Sequence, residues 1–150
     1  MGYFQKLLFL LPILFLVSCD VVEEPENMDY SSYTSAETYS YSDVKDKEIL
    51  YSNIFGVKSN SYYVYFYSRT CSHCNDLKSF IIPKIIERSD IYLVEASEQV
   101  TIVEDISLTI GASSIENFGI LGYPSLVKID EKVVSKNIAG INPIKNELTN

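Results

Sequence analysis

The chain has no tryptophan, a single histidine and three cysteines among 150 residues. It also lacks positive charge: 12 Lys and Arg stand against 20 Asp and Glu. From residue 45 onward the count is 13 acids to 11 bases with no basic stripe, which excludes a nucleic-acid surface. No apolar run approaches the roughly 20 residues that cross a bilayer. Neither a glycine-rich phosphate loop nor a serine-nucleophile motif is present. These absences remove glycine-loop phosphoryl transfer, serine-type acyl transfer and nucleic-acid binding.

The apolar run that does occur lies at the N-terminus, from Leu7 to Val17, preceded by Lys6 and interrupted by Pro12. Its eleven residues suit the hydrophobic core of a secretory signal. The tetrad Leu16-Val17-Ser18-Cys19 resembles the bacterial lipoprotein box, which implies removal of residues 1–18 and acylation of Cys19 as the mature N-terminus. The expected location is the outer face of the bacterial cytoplasmic membrane, held there by lipid. Each buried CH₂ of an acyl chain contributes about 0.8 kcal/mol, so more than one chain makes a stable anchor.

Residues 20–44 carry seven acids, Asp20, Glu23, Glu24, Glu26, Asp29, Glu37 and Asp43, and no base. Ser and Tyr fill the spaces between them without apolar periodicity, so residues 19–44 read as an extended tether and 45–150 as the domain. With Cys19 given to lipid, Cys71 and Cys74 form the remaining pair. One histidine and those two thiols cannot supply the four ligands of a zinc site, so no metal and no cofactor is expected.

Cys71-Ser72-His73-Cys74 follows the strand-like stretch Tyr62–Tyr67 and leads into a helical one. A Cys-x-x-Cys at such a junction is a redox site more often than a staple. Closing a loop of about four residues yields only roughly 2 kcal/mol, against about 3 for fifteen residues. A helix start favours an anion, which makes Cys71 the attacking thiol. Cys74, a turn further in, is the resolving one. His73 between them can favour the thiolate further and so make the disulfide a stronger oxidant, or it is an exposed histidine without effect.

The remaining pattern is α/β. Val44, Ile49, Leu50 and Ile54 suggest a short amphipathic helix over 44–55, and Tyr62–Tyr67 is apolar on both faces like a central strand. Leu77, Phe80, Ile81 and Ile85 recur at helical spacing, with Pro83 bending rather than ending that helix. Ile91–Val94 is a second strand reached by a parallel crossover. Residues 98–118 suggest one or two short helices with Gly111 as a breaker. Ser125–Ile129 and Val133–Ile138 form a hairpin, and a final helix starts near Pro143.

This order, with Cys-x-x-Cys at the first helix start, resembles the thioredoxin family, closest to its protein disulfide isomerase branch. The likeness covers roughly residues 45–148 and is carried by Tyr65–Cys74, Phe118–Leu126 and Ile138-Ala139-Gly140. It implies a thioredoxin-like α/β fold with a central mixed sheet of about four to five strands flanked by helices. It implies that Pro124 is a cis-proline beside the disulfide. The backbone of Tyr123 would then pair with an extended substrate peptide, or Tyr123 is a packing residue. Two positions depart from the pattern: Tyr65 stands where the family usually buries an acid, and Thr70 where it usually has tryptophan. Glu95 is either a substitute base or a surface carboxylate.

The leading expectation is a lipid-anchored thiol–disulfide oxidoreductase acting on protein thiols and disulfides through Cys71, Cys74 and His73, with a redox partner protein that resets it. The leaning is toward oxidase or isomerase. The alternatives are a reductase for exported proteins or cytochrome maturation, and a non-catalytic accessory lipoprotein of the same fold.

Overall fold

The computed structural model describes residues 39–96 and 100–150. The expected signal peptide, Cys19 and the tether through residue 38 lie outside the described residues. The chain forms β1 (Ser61–Tyr67), α1 (Ser72–Glu87), β2 (Ile91–Glu95), β3 (Ser125–Asp130), β4 (Val133–Ala139) and α2 (Ile141–Thr149).

β1 is the centre of the sheet because both its faces are apolar. Tyr62, Val64 and Phe66 point into one core cluster, while Tyr65 and Tyr67 point into the other. A strand with two wet neighbours would not tolerate this alternation of rings. β1 pairs in parallel with β2, Tyr63 opposite Ile91 through Tyr67 opposite Glu95. It pairs antiparallel with β3, and β3 with β4, giving the order β2-β1-β3-β4. The β3–β4 turn places Glu131 and Lys132 at φ of 50° and 68°, two successive positive values that match the twist of a tight hairpin. The result is a thioredoxin-like α/β fold with a four-stranded mixed sheet, within the expected size.

α1 and α2 cover one face. Leu77, Ile81, Ile82 and Ile85 of α1 and Ile144 and Leu148 of α2 are buried there with Tyr65, Tyr67 and Leu93. α1 continues through Pro83 to Glu87, as expected. Among the described residues the other face is covered without a long helix. Residues 100–120 contribute Val100, Ala112, Phe118 and Ile120, and the 3₁₀ turns Ile106–Thr109 and Ile115–Asn117 flank Gly111 at φ +88°.

This second layer is held by close backbone approach. Ile120 N–H donates to Thr101 O and Val103 N–H to Ile120 O, both at 2.9 Å. A Cβ at Gly119 would lie 2.6 Å from Val103 Cγ1 and 2.9 Å from Thr101 O, so only glycine permits the contact. The buried Asn137 amide ties the layer to β4 by donating to Thr109 Oγ1 at 2.7 Å and Gly119 O at 2.8 Å. Asn137→Ala leaves both acceptors unmet inside the protein and should cost about 1–3 kcal/mol. A lowered urea midpoint at constant slope is the expected result; an unmoved midpoint would show that the layer does not depend on this amide.

The helix expected over 44–55 is replaced by two 3₁₀ turns, Tyr41–Lys47 and Tyr51–Asn53, separated by extended residues. Sheet pairing overrides the helical pattern at that point. Glu48 bridges Leu93 in parallel, and Ile49 N–H donates to Leu93 O at 2.8 Å. The apolar residues also serve two cores: Val44 is buried on the α1 side and Ile54 on the opposite side, which one continuous helix cannot do.

The described fold includes residues on the N-terminal side of residue 45. Ser40 caps the first turn, its hydroxyl accepting from Ser42 N–H while its own N–H donates to Asp43 Oδ2 at 2.7 Å. Tyr41 and Val44, assigned by composition to the tether, are core residues. Their burial outweighs the local excess of acid and serine.

Candidate active site

Sheet register builds the site. Phe66 of β1 sits opposite Ser125 of β3, and Ser125 in turn opposite Ala139 of β4. The residues just after β1 therefore meet those just before β3: Cys71 meets Tyr123-Pro124. The Tyr123–Pro124 peptide bond is cis, as expected, and Gly140 N–H donates to Pro124 O at 2.9 Å. The three stretches singled out in the sequence converge here.

Cys71 is the N-cap of α1 with an extended backbone, φ −80° and ψ 121°. Its Sγ accepts from Cys74 N–H at 3.4 Å. Sulfur takes the place that a Ser or Asp oxygen usually holds at a helix start, where orphan N–H groups favour negative charge. The approach to it is pinned: Cys71 N–H donates to Ser68 O at 3.2 Å, Asn75 N–H to Cys71 O at 3.1 Å, and Asn75 Nδ2 to Arg69 O at 3.4 Å. On the other side the Cys71 thiol donates to Tyr123 O at 3.4 Å.

The two thiols are free and differ in environment. Cys71 is half-buried, whereas Cys74 is fully buried. Burial pushes the Cys74 thiol up to about 12, opposed by hydrogen bonding from the Ser68 backbone and the Tyr65 hydroxyl. One sulfur is presented and the other withheld, the asymmetry that an attacking and a resolving thiol require.

His73 is exposed on the first turn of α1. Tyr123 is half-buried between the two core clusters, and burial raises its phenol above the ordinary value. Cys71, Cys74, Tyr123 and Pro124 thus come together with His73 beside them. Glu95 forms an ion pair with Arg69 at 2.8 Å across the ends of β2 and β1. That pair engages the carboxylate at the sheet end.

Among the described residues, phenols lie close to Cys74. Tyr65 is fully buried, and its hydroxyl meets that of Tyr41 at 3.2 Å. Tyr41 also donates to Cys74 O at 2.9 Å and stacks on Tyr67 with ring centroids 4.0 Å apart. Sequence reading missed Tyr41, although Ser40-Tyr41-Ser42-Asp43 fits the capping-box pattern that opens a helix. Among the described residues no group of three or more His, Cys, Asp or Glu side chains converges as a metal site would need.

No family model and no curated protein matches the chain. Solved structures similar to it include thioredoxin from Aeropyrum pernix, 20% identical, covering 60% of this chain and 71% of that one with a TM-score of 0.43. Mitochondrial thioredoxin 3 from Saccharomyces cerevisiae is 15% identical over 69% of this chain and 92% of its own, TM-score 0.46. Thioredoxin F from spinach chloroplast is 16% identical over 69% and 88%, TM-score 0.47. The sheet order β2-β1-β3-β4 and the cysteine pair at the start of α1 agree with the thioredoxin-like fold expected from the sequence.

Proposed function

We propose that this chain is a thiol–disulfide oxidoreductase for protein substrates, lipid-anchored through Cys19 outside the bacterial cytoplasmic membrane. The observation that supports it is the joint placement of Cys71: capping a helix, accepting from Cys74 N–H, and touching the carbonyl of Tyr123. An extended peptide laid along Tyr123 brings its own sulfur to Cys71. Cys71 thiolate attacks the substrate disulfide and forms a mixed disulfide, and one substrate sulfur leaves as a thiol. Cys74 then attacks Cys71 Sγ, which closes the internal disulfide and frees the second substrate thiol. Run backward, the same steps oxidise a dithiol. A partner protein resets the pair in either direction.

Turnover is the test. The purified chain should speed the reduction of insulin or the oxidative refolding of a reduced protein, and silence in both assays would favour a non-catalytic accessory lipoprotein. Direction depends on potential. His73 on the first helical turn favours the reduced, thiolate-bearing form and therefore the oxidase or isomerase direction over reduction of exported proteins or cytochrome precursors. His73→Pro keeps a residue compatible with a first helical turn and removes the imidazole. It should lower the reduction potential by at least about 30 mV, equivalent to about 1.4 kcal/mol for a two-electron couple. An unchanged potential in glutathione equilibration would remove His73 from the mechanism.

A further inference from the structure

The outer edge of β2 loses its neighbour just before the strand ends. Tyr63 N–H donates to Asp90 O and Ala96 N–H to Tyr67 O, so the even-numbered backbone groups of β2 face β1 and the odd-numbered ones face outward. Ile49 N–H takes the outward Leu93 O at 2.8 Å, and the pairing stops there, at the isolated Glu48–Leu93 bridge. One more rung would join Leu50 to Glu95. Instead the chain turns away at Tyr51, whose ring packs against Phe66 and Phe118 and whose hydroxyl donates to Phe118 O at 3.3 Å. In place of the missing rung is a cavity of about 310 Å³, with Glu48, Ile49, Leu50, Tyr51, Val94 and Glu95 in its lining. Among the described residues no backbone group pairs with the outward N–H and C=O of Glu95.

A sheet edge with an idle donor and acceptor is a template for an extended peptide. The lining decides which peptide. Ile49, Leu50 and Val94 give the cavity an apolar wall, and Glu48 and Glu95 bring two carboxylates against one guanidinium. Arg69 Nε meets Glu95 Oε1 at 2.8 Å, whereas among the described residues Glu48 has no ion pair. A Lys or Arg side chain matches both features, with its stem along the wall and its charge at the carboxylates. An acidic side chain would be repelled. We propose that this cavity binds an extended basic segment of the protein substrate, which pairs with the Glu95 backbone and sets a Lys or Arg against Glu48. The pocket names a substrate class for the oxidoreductase and rests on that reading. Its place suits the role. β1 and β2 are parallel with Tyr67 opposite Glu95, so the cavity lies at the end of the sheet from which the chain enters the redox site. Cys71 follows Tyr67 by four residues, at most about 14 Å of chain, and adjacent strands lie about 5 Å apart. An extended peptide joining the two places carries its basic residue within about six positions of its reactive cysteine.

The test uses the full chain and a set of decapeptides, uncharged but for one lysine or one glutamate placed at successive positions on either side of a single cysteine. That cysteine carries nitrothiobenzoate as a mixed disulfide. Cys71 thiolate bonds to the peptide sulfur, the peptide–aryl S–S bond breaks, and the coloured aryl thiolate leaves with the electron pair. At the best position lysine should release colour about tenfold faster than glutamate. Glu48→Lys should bring that ratio to about one or invert it. Glu87→Lys makes the same charge change at the far end of α1 and should leave the ratio within about twofold. A ratio near one at every position in the wild-type chain overturns the proposal. So does an equal shift by Glu87→Lys, which marks the general field of an acidic domain. Should Glu48→Lys fail to fold, Ser52→Trp decides: an indole in the lining of the cavity should reduce the ratio to about one, and an unchanged ratio overturns the proposal. If no peptide releases colour, the redox reading fails on its own and binding judges the pocket. A fluorescein-labelled lysine peptide with serine for cysteine should then bind the wild-type chain at least about tenfold tighter than Glu48→Lys by anisotropy, and equal binding refutes the pocket.

Discussion

Under the proposed function, Cys71→Ser should abolish exchange with protein disulfides, and Cys74→Ala should halt it at the mixed disulfide. The two outcomes differ because the two sulfurs do. Cys71 is half-buried at the helix start against Tyr123 O, so it alone can meet a substrate sulfur. A serine hydroxyl in its place is not ionised near neutral pH and is a poor nucleophile toward sulfur, so turnover should fall by orders of magnitude to the uncatalysed background. Cys74 lies under the surface with no exposure and touches Cys71 rather than solvent. Removing it spares capture and deletes escape. Covalent complexes sensitive to thiol reductants should therefore accumulate in cells producing Cys74→Ala and disappear in the double variant with Cys71→Ser. Equal trapping through Cys74 in a Cys71→Ala variant would reverse the assigned order.

Alkali should unfold the domain well before it harms an average protein of this size. Tyr62, Tyr63 and Tyr67 are each pushed up to about 12, first by burial, and Tyr41, Tyr65 and Tyr123 are raised for the same first reason. Cys74, also near 12, adds a seventh group. All seven folded-state values lie above the unfolded ones, so the native chain holds protons that the unfolded chain releases. The Cys74 contribution is thus complete only below the unfolded thiol value near pH 8.5 and the phenol contributions below about pH 10, and each is lost as pH rises through these values toward the folded ones. With six phenols half-ionised in the unfolded chain, the difference is about three protons and the slope about 4 kcal/mol per pH unit. Against a typical total of 5–15 kcal/mol, little should remain by about pH 11. Urea midpoints at pH 8, 9, 10 and 11 should be level at first and then drop steeply. A flat profile to pH 11 would mean that these rings are not sealed from water as the structure describes.

Much of this architecture is legible from the chain because its signals are local. The double-sided apolar stretch Tyr62–Tyr67 must lie between two covered layers, and the spacing of Leu77, Ile81 and Ile85 needs a helix against them. Positive φ at Glu131 and Lys132 follows from a turn squeezed between two alternating strands. Reading 44–55 as a helix fails for a non-local reason. A single pairing with Leu93 across the sheet edge defeats a period that looks helical, and the two apolar ends belong to opposite cores. Composition misplaces Tyr41 likewise, because acidity and serine content report on solvation of the segment and not on a ring that finds Tyr67 to stack against.

Residue order alone sets the chemistry on offer: two thiols three positions apart at a strand-to-helix junction, and a proline 50 residues after the second. Spacing along one chain suffices for that, since a helix start presents the same backbone donors wherever it occurs. Which groups attend the hidden thiol follows from packing between distant segments. Tyr41 reaches the Cys74 carbonyl from 33 residues away, and the Phe66–Ser125 register carries Tyr123 to Cys71 across 52. Such neighbours are set by which faces pack together, and no local period encodes that.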